Sequence, residues 1–209
     1  MISKLHYISQ GETSEAHLIA IESVLKAGAK WIQLRMKKFD EAMVWATAKE
    51  AKSLCNAYEA KLIINDYPLV AKEVQSFGLH LGLNDMPIQE ARAIVGHQMI
   101  IGGTANTFTD VEKRITDGAD YIGLGPYRFT KTKENLSPVL GAQGYRTIIQ
   151  KMKEYGYKTP IIAIGGIVKT DIPELKRKGV YGVALSGELT NANNKHQLIS
   201  EIHSLLEAD

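Results

Sequence analysis

Eight short apolar runs, separated by longer amphipathic stretches, recur along this 209-residue chain. They fall at 5–8, 31–34, 62–64, 79–81, 99–101, 121–124, 161–164 and 182–185. Each is too short for a helix, as expected of strands buried on both faces of a parallel sheet. The intervening stretches carry helical periodicity. Ala16, Ile19, Ala20, Val24 and Leu25 are predicted to share one helix face, and Val44, Ala48, Ala51 and Cys55 another. Pro87 suits the first turn of a helix running through Ala91 to Val95, with Gly96 at its end. Asp171 suits the cap of a helix containing Leu175, with Pro173 in its first turn and Gly179 beyond it.

Eight strand–helix units in this length average about 26 residues each, at the compact end of the barrel range. The expected fold is α/β, a single (β/α)8 TIM barrel over 1–209. A flavodoxin-like sheet needs about five strands. Polar residues also cluster just after many of the runs, as they do around a barrel mouth.

Charge narrows the partners. Lys and Arg total 25 against 23 Asp and Glu, a formal net charge of +2. That balance argues against a nucleic-acid surface or a polybasic membrane patch. The single cysteine, Cys55, permits neither an internal disulfide nor a Cys-rich zinc site, and reads as a packed small hydrophobe. Residues 1–6 lack the apolar core of a signal peptide, and no uncharged apolar run is long enough for a bilayer. The expectation is a cytoplasmic soluble protein. A homo-oligomer is compatible with the sequence, which does not specify oligomeric state.

The chemistry collects at the predicted strand ends. After the sixth run comes Gly125-Pro126-Tyr127-Arg128-Phe129-Thr130-Lys131-Thr132-Lys133. Its hydroxyls and cations can hold phosphate oxygens, Arg128 being a third cation, and it reads equally as a solvated basic loop. After the second run, Gln33, Arg35 and in part Lys37 share a face expected to point into the mouth, the cations toward a polyanion and Gln33 toward a heterocycle's edge; alternatively this is an ordinary amphipathic strand end paired with acids. Asp66 and Asp85 follow the third and fourth runs, within reach of one Mg²⁺ or, alternatively, as helix caps. His80 reads as a satisfied wall histidine ahead of a catalytic base. Gly102-Gly103-Thr104-Ala105-Asn106-Thr107 follow the fifth run with small residues and hydroxyls, Thr104 nearer the mouth, whereas Thr107 or Thr109 suits a helix cap. Gly165-Gly166 and Ser186 follow the last two runs, a frequent phosphate site in barrels. Two anion sites emerge, one fit for a pyrophosphate and one for a monophosphate. No Ser-His or Cys-His pair is evident.

In order along nearly the whole chain stand Gln33-Leu34-Arg35-Met36-Lys37, Asn65-Asp66, His80-Leu81-Gly82 with Asp85, and Thr104. They are followed by Gly125-Pro126 with Thr130-Lys131-Thr132-Lys133, Ile164-Gly165-Gly166-Ile167 and Leu185-Ser186. Together they resemble thiamine-phosphate synthase. The resemblance implies that a hydroxymethylpyrimidine group passes from its diphosphate to the nitrogen of a thiazole monophosphate. It implies Mg²⁺ on Asp66 and Asp85, with the diphosphate substrate on Gln33, Leu34, Arg35, Met36, Lys37, Asn65, Thr104 and Lys133. It also implies the thiazole phosphate on Thr130, Thr132, Gly166, Leu185 and Ser186; Lys131, on the alternate side of the loop, is expected to face solvent. The implied mechanism is dissociative, with Arg35, Lys37 and Lys133 stabilising departing pyrophosphate. The chain departs from the family pattern at Leu83-Asn84, where Gln-Glu often stands, and at Tyr67, where Arg commonly follows the first Asp. An isomerase related to thiazole tautomerase, with His80 as base, and a non-catalytic thiamine-phosphate binder are the alternatives.

Overall fold

The computed structural model describes residues 1–129 and 138–208. From the N-terminus come β1 (Leu5–Ile8), α1 (Ser14–Lys26), β2 (Trp31–Leu34), α2 (Glu41–Ala57), β3 (Lys61–Asn65), α3 (Pro68–Glu73) and β4 (Gly78–Leu81). Next are α4 (Ile88–Val95), β5 (Ile100–Ala105), α5 (Phe108–Thr116), β6 (Tyr121–Leu124) and α6 (Gly141–Glu154). The chain continues through β7 (Ile161–Ala163), a 3-10 turn (Lys169–Asp171), α7 (Ile172–Arg177), β8 (Gly182–Leu185), α8 (Gly187–Thr190) and α9 (Lys195–Glu207). All eight strands pair in parallel with their sequence neighbours, and β8 closes on β1. The fold is a TIM barrel, as the sequence predicts.

Alternation along each strand divides the core in two. Side chains such as Leu5, Tyr7, Ile32, Leu34, Leu62, Ile64, Leu79 and Leu124 pack outward against the helices. Trp31, Ile63, Tyr121, Ile162 and Ala184 fill the barrel itself. Among them His6 stacks on Trp31, with ring centroids 4.5 Å apart. Toward the C-terminal ends of β2 to β5 the buried interior turns polar, with Gln33, Asn65, His80 and Thr104. This layer is the floor of the mouth.

Polar side chains keep the first turns of α1, α2 and α5 from fraying. Thr13 caps α1 by accepting the Ala16 N–H, and Asp40 caps α2 by accepting the Met43 N–H. Thr107 and Asp110 form a reciprocal capping box on α5. Each such cap contributes about 1 kcal/mol. Thr107 is therefore the capping threonine, and Thr104 lies in the strand.

Three local expectations are corrected. The fifth strand is Ile100–Ala105, so Gly102-Gly103 lies inside it, not in a loop after 99–101. Both glycines make room for neighbours. A Cβ on Gly102 would sit 2.1 Å from Tyr121 Cζ, and one on Gly103 would sit 2.8 Å from Arg114 Cδ. In α1 the inward stripe is His17, Ile21, Val24 and Leu25, and Ile19 is 61% exposed. Val24 and Leu25 lie in the buried stripe as expected, whereas Ile19 does not, and His17, bonded through Nδ1 to Ser9 Oγ, is buried there. Asp171 precedes α7 but does not cap it. Its carboxylate instead accepts the Val168 N–H and pairs with Arg128. By contrast, Val44, Ala48, Ala51 and Cys55 do form the buried face of α2.

Candidate active site

The mouth is built from the ends of β2, β3, β4 and β5. Gln33 on β2 points inward and donates from Nε2 to Asn65 Oδ1 on β3 at 2.7 Å. That bond leaves Asn65 Nδ2 buried without a partner. An unmatched buried donor is costly, and a ligand acceptor would satisfy it.

Asp66 follows at once, with a positive φ of 69°, a conformation unusual for a residue other than glycine. Its Oδ2 accepts from Lys37 Nζ at 2.9 Å, and Asp85 Oδ2 is 3.9 Å from the same ammonium. Asp66 Oδ1 is buried with no partner. Burial and the neighbouring Asp85 carboxylate push Asp66 up to about 7, against the pull of Lys37. Burial also acts on Asp85, but its bonds to Asp66 and the Gly82 N–H hold it below the ordinary carboxylate range. Asp85 is therefore not the cap of α4. It accepts the Gly82 N–H at 2.6 Å, and the position before that helix is Pro87, which offers no side-chain cap.

These two acids fit Mg²⁺. They lie side by side, and one buried oxygen lacks a partner. Mg²⁺ commonly takes one or two carboxylates and completes its shell with water and substrate phosphates. Among the described residues no group of three or more His, Cys, Asp or Glu side chains gathers to hold a metal.

Arg35 is half-buried beside this pair. Burial lowers its guanidinium from the ordinary value while Asp66 and Asp85 oppose the shift, and it stays charged. Its backbone N–H donates to Ser9 Oγ at 3.1 Å, and Ser9 Oγ contacts His17 Nδ1 at 2.8 Å. A buried Ser-His pair thus exists, contrary to the reading of the sequence. It supports the strand end that carries Arg35. Burial holds His17 below the ordinary histidine range. Only tertiary packing brings Ser9 and His17 together with β2, so no spacing signal announces them.

His80 is hydrogen-bonded at both ring nitrogens, Nδ1 with Tyr121 Oη and Nε2 with Thr104 Oγ1, each at 3.1 Å. It is a satisfied wall histidine. The isomerase reading therefore finds its candidate base already engaged. Tyr121 is a third residue the sequence did not single out, since it begins an apolar run.

Leu34, Met36 and Leu185 lie differently from the polar residues of their segments. Their side chains are buried in the layer between barrel and helices, so any contact with ligand falls to their backbone atoms. Tyr67, where the resemblance leads to an expectation of Arg, donates its hydroxyl to Phe39 O at 3.2 Å and braces the loop after β2.

Across the mouth, Gly165 and Gly166 adopt positive φ values of 88° and 72°. Arg128 ties this turn down: its N–H donates to Gly165 O at 3.1 Å and its guanidinium to Gly166 O at 2.6 Å. Because a trans peptide opposes C=O and N–H, the Gly166 and Ile167 N–H groups face away from Arg128. Successive N–H groups of this kind form an anion-binding concavity. Arg128 also makes a two-pronged pair with Asp171, both bonds at 2.7 Å. It is thus a fastener of the turn and not the third phosphate cation expected. Ser186, just before α8, donates to Gln10 Oε1 at 3.2 Å. Thr130, Lys131, Thr132 and Lys133 lie outside the described residues.

No described helix is long and apolar enough to cross a membrane. A family model described as thiamine monophosphate synthase matches residues 5–189. A thiamine-phosphate synthase of Flavobacterium psychrophilum is 48% identical over 206 residues, covering 99% of this chain and all of that protein. One from Flavobacterium johnsoniae is 47% identical over 209 residues, covering 100% and 99%. Among solved structures, a thiamine phosphate pyrophosphorylase from Pyrococcus furiosus superposes with a TM-score of 0.82 at 28% identity, over 98% of this chain and 95% of that one.

Proposed function

The chain belongs to the thiamine monophosphate synthase family and is a transferase, and from that premise we propose its substrates and mechanism. It joins hydroxymethylpyrimidine diphosphate to hydroxyethylthiazole phosphate, giving thiamine phosphate and pyrophosphate. The observation that carries this reading is the grouping at one mouth of Asp66, Asp85, Lys37 and Arg35 with the unpaired Asn65 amide. Lys37, Arg35 and the Asn65 amide can donate to diphosphate oxygens, and Mg²⁺ on the two acids would supply the further positive charge a diphosphate needs. The Gly165-Gly166 turn and Ser186 supply the backbone and hydroxyl donors suited to a monophosphate on the other side.

The proposed chemistry is dissociative. The carbon–oxygen bond to pyrophosphate breaks first, its electron pair leaving with the diphosphate. The pyrimidine methylene cation is stabilised by the ring's amino group, and the thiazole nitrogen then attacks it. Arg35 and Lys37 hold the charge that grows on the leaving group, and Asn65 and Thr104 donate to its oxygens or to the pyrimidine. Lys133, beyond the described residues, joins them by family resemblance. Mg²⁺ on Asp66 and Asp85, when bound, would neutralise diphosphate charge. Such a reaction needs positioning and electrostatic stabilisation more than a protein nucleophile.

The test is direct. Purified protein with Mg²⁺ and both substrates is expected to release one pyrophosphate per thiamine phosphate formed. A folded protein that binds both substrates but forms no product would overturn the reading.

A further inference from the structure

We propose that Tyr121, acting through His80, is a positioning residue that leaves the Thr104 hydroxyl as a hydrogen-bond donor toward the mouth. The three side chains form one chain of bonds through the barrel interior, Tyr121 Oη to His80 Nδ1 and His80 Nε2 to Thr104 Oγ1. The direction of each bond follows from the ends. Among the described residues the Tyr121 hydroxyl has His80 as its one hydrogen-bond partner. Burial keeps the phenol protonated, pushing its titration well above the ordinary range. Its proton therefore goes to His80 Nδ1. A neutral imidazole that accepts at Nδ1 carries its proton on Nε2. That proton is donated to Thr104 Oγ1, so the Thr104 hydroxyl proton remains available. The reverse polarity would strand the tyrosine proton in the barrel and spend the threonine proton on His80.

Two glycines hold the relay in place. Any Cβ on Gly102 would overlap the Tyr121 ring, and one on Gly123 would lie 3.0 Å from His80 Cε1. Tyr121 is further fixed by edge contacts with His6 and Trp31, at 5.2 and 6.0 Å between centroids. An anion has acceptors only, so a mouth hydroxyl with its proton committed inward would serve it poorly. The relay sets that proton outward before any ligand arrives.

The consequence for catalysis rests on the diphosphate reading of the mouth, whereas the polarity itself does not. Nitrogen-15 NMR of histidine-labelled protein at neutral to mildly alkaline pH reads the polarity without substrate, His80 being assigned by its loss in His80→Gln. Wild-type protein is expected to show His80 as the Nε2–H tautomer; an Nδ1–H tautomer or an imidazolium would overturn the proposal. This measurement needs no variant of Tyr121 to fold. In kinetics, Tyr121→Phe is expected to raise KM for the pyrimidine diphosphate about tenfold and leave KM for the thiazole phosphate unchanged. Thr104→Val should do the same, Thr104→Ser should remain near wild type, and the Tyr121→Phe/Thr104→Val double variant should be no worse than either single one. Additive losses in the double variant, or equal effects on both substrates, would reject the relay. If neither substrate turns over, the functional reading fails while the tautomer result still stands or falls alone.

Discussion

Lys37 Nζ lies 2.9 Å from Asp66 Oδ2, so a cation of the protein's own sits against the proposed metal carboxylates. The same ammonium is 3.9 Å from Asp85. If Mg²⁺ and a diphosphate bind as proposed, a lysine in this position would compete with the ion in the free protein and would turn to the diphosphate once the ion binds.

Lys37→Met is therefore expected to tighten Mn²⁺ binding to the substrate-free protein about tenfold, a change of ~1.4 kcal/mol, while lowering turnover. Asp66→Asn should weaken Mn²⁺ binding by at least as much. Titration followed by electron paramagnetic resonance checks both. Equal Mn²⁺ affinity in all three proteins would remove the carboxylates from the metal site.

The Arg128–Asp171 pair should matter for the Gly165-Gly166 turn more than for global stability. Arg128 is 44% exposed at its side chain, so solvent screening limits the pair to about 1 kcal/mol. Arg128→Ala is expected to cost roughly that in urea unfolding and to raise KM for the thiazole phosphate severalfold. Arg128→Lys should not restore the KM, since an ammonium cannot make the two-pronged bond. A KM unchanged in both variants would detach the pair from the monophosphate site.

Acid should destabilise the fold partly through His6. Burial holds His6 down to about 3, from an unfolded value of 6.5. Above 6.5 both states are neutral and there is no penalty. Below it the unfolded chain takes up a proton that the folded one refuses, so stability falls with pH until about 3. The slope is ~1.4 kcal/mol per pH unit for one proton. His6→Phe, which can keep the stack on Trp31, should flatten the profile by about that amount. Urea melts from pH 4 to 7 measure it, and an unchanged slope would show that His6 does not carry the effect.

Cys55 should be silent in the native state. It is fully buried on α2, and burial pushes its thiol up to about 12. An aromatic disulfide reagent is expected to label it only as fast as the protein opens, with rapid labelling in urea. Fast native labelling would show that α2 opens locally. Cys55→Ala, which removes one buried sulfur, should cost about 1 kcal/mol.

Much of this molecule was legible before its structure. Strands β1, β2, β6 and β8 begin and end where the apolar runs do, because a strand buried on both faces leaves few polar residues inside it. The polar strand ends at Gln33, Asn65, Asp66 and Asp85 were legible for the complementary reason, since such groups survive at a barrel wall only where they are partnered or functional. The Gly102-Gly103 pair misled, because glycine reads locally as a turn while here it clears space for Tyr121 and Arg114. Arg128 misled likewise, as its partner Asp171 lies 43 residues on.

By itself, then, the sequence determined the barrel, the two polar sides of its mouth and the types of charge gathered there. Those follow from period, burial and strand-end position, which are local properties of the chain. Tertiary structure alone decided who holds whom: Lys37 between two acids, Ser9 and His17 behind Arg35, Arg128 on Asp171, and His80 between Tyr121 and Thr104. Hydrogen bonds and ion pairs act over about 3 Å, and only closure of the barrel brings such distant residues within that reach.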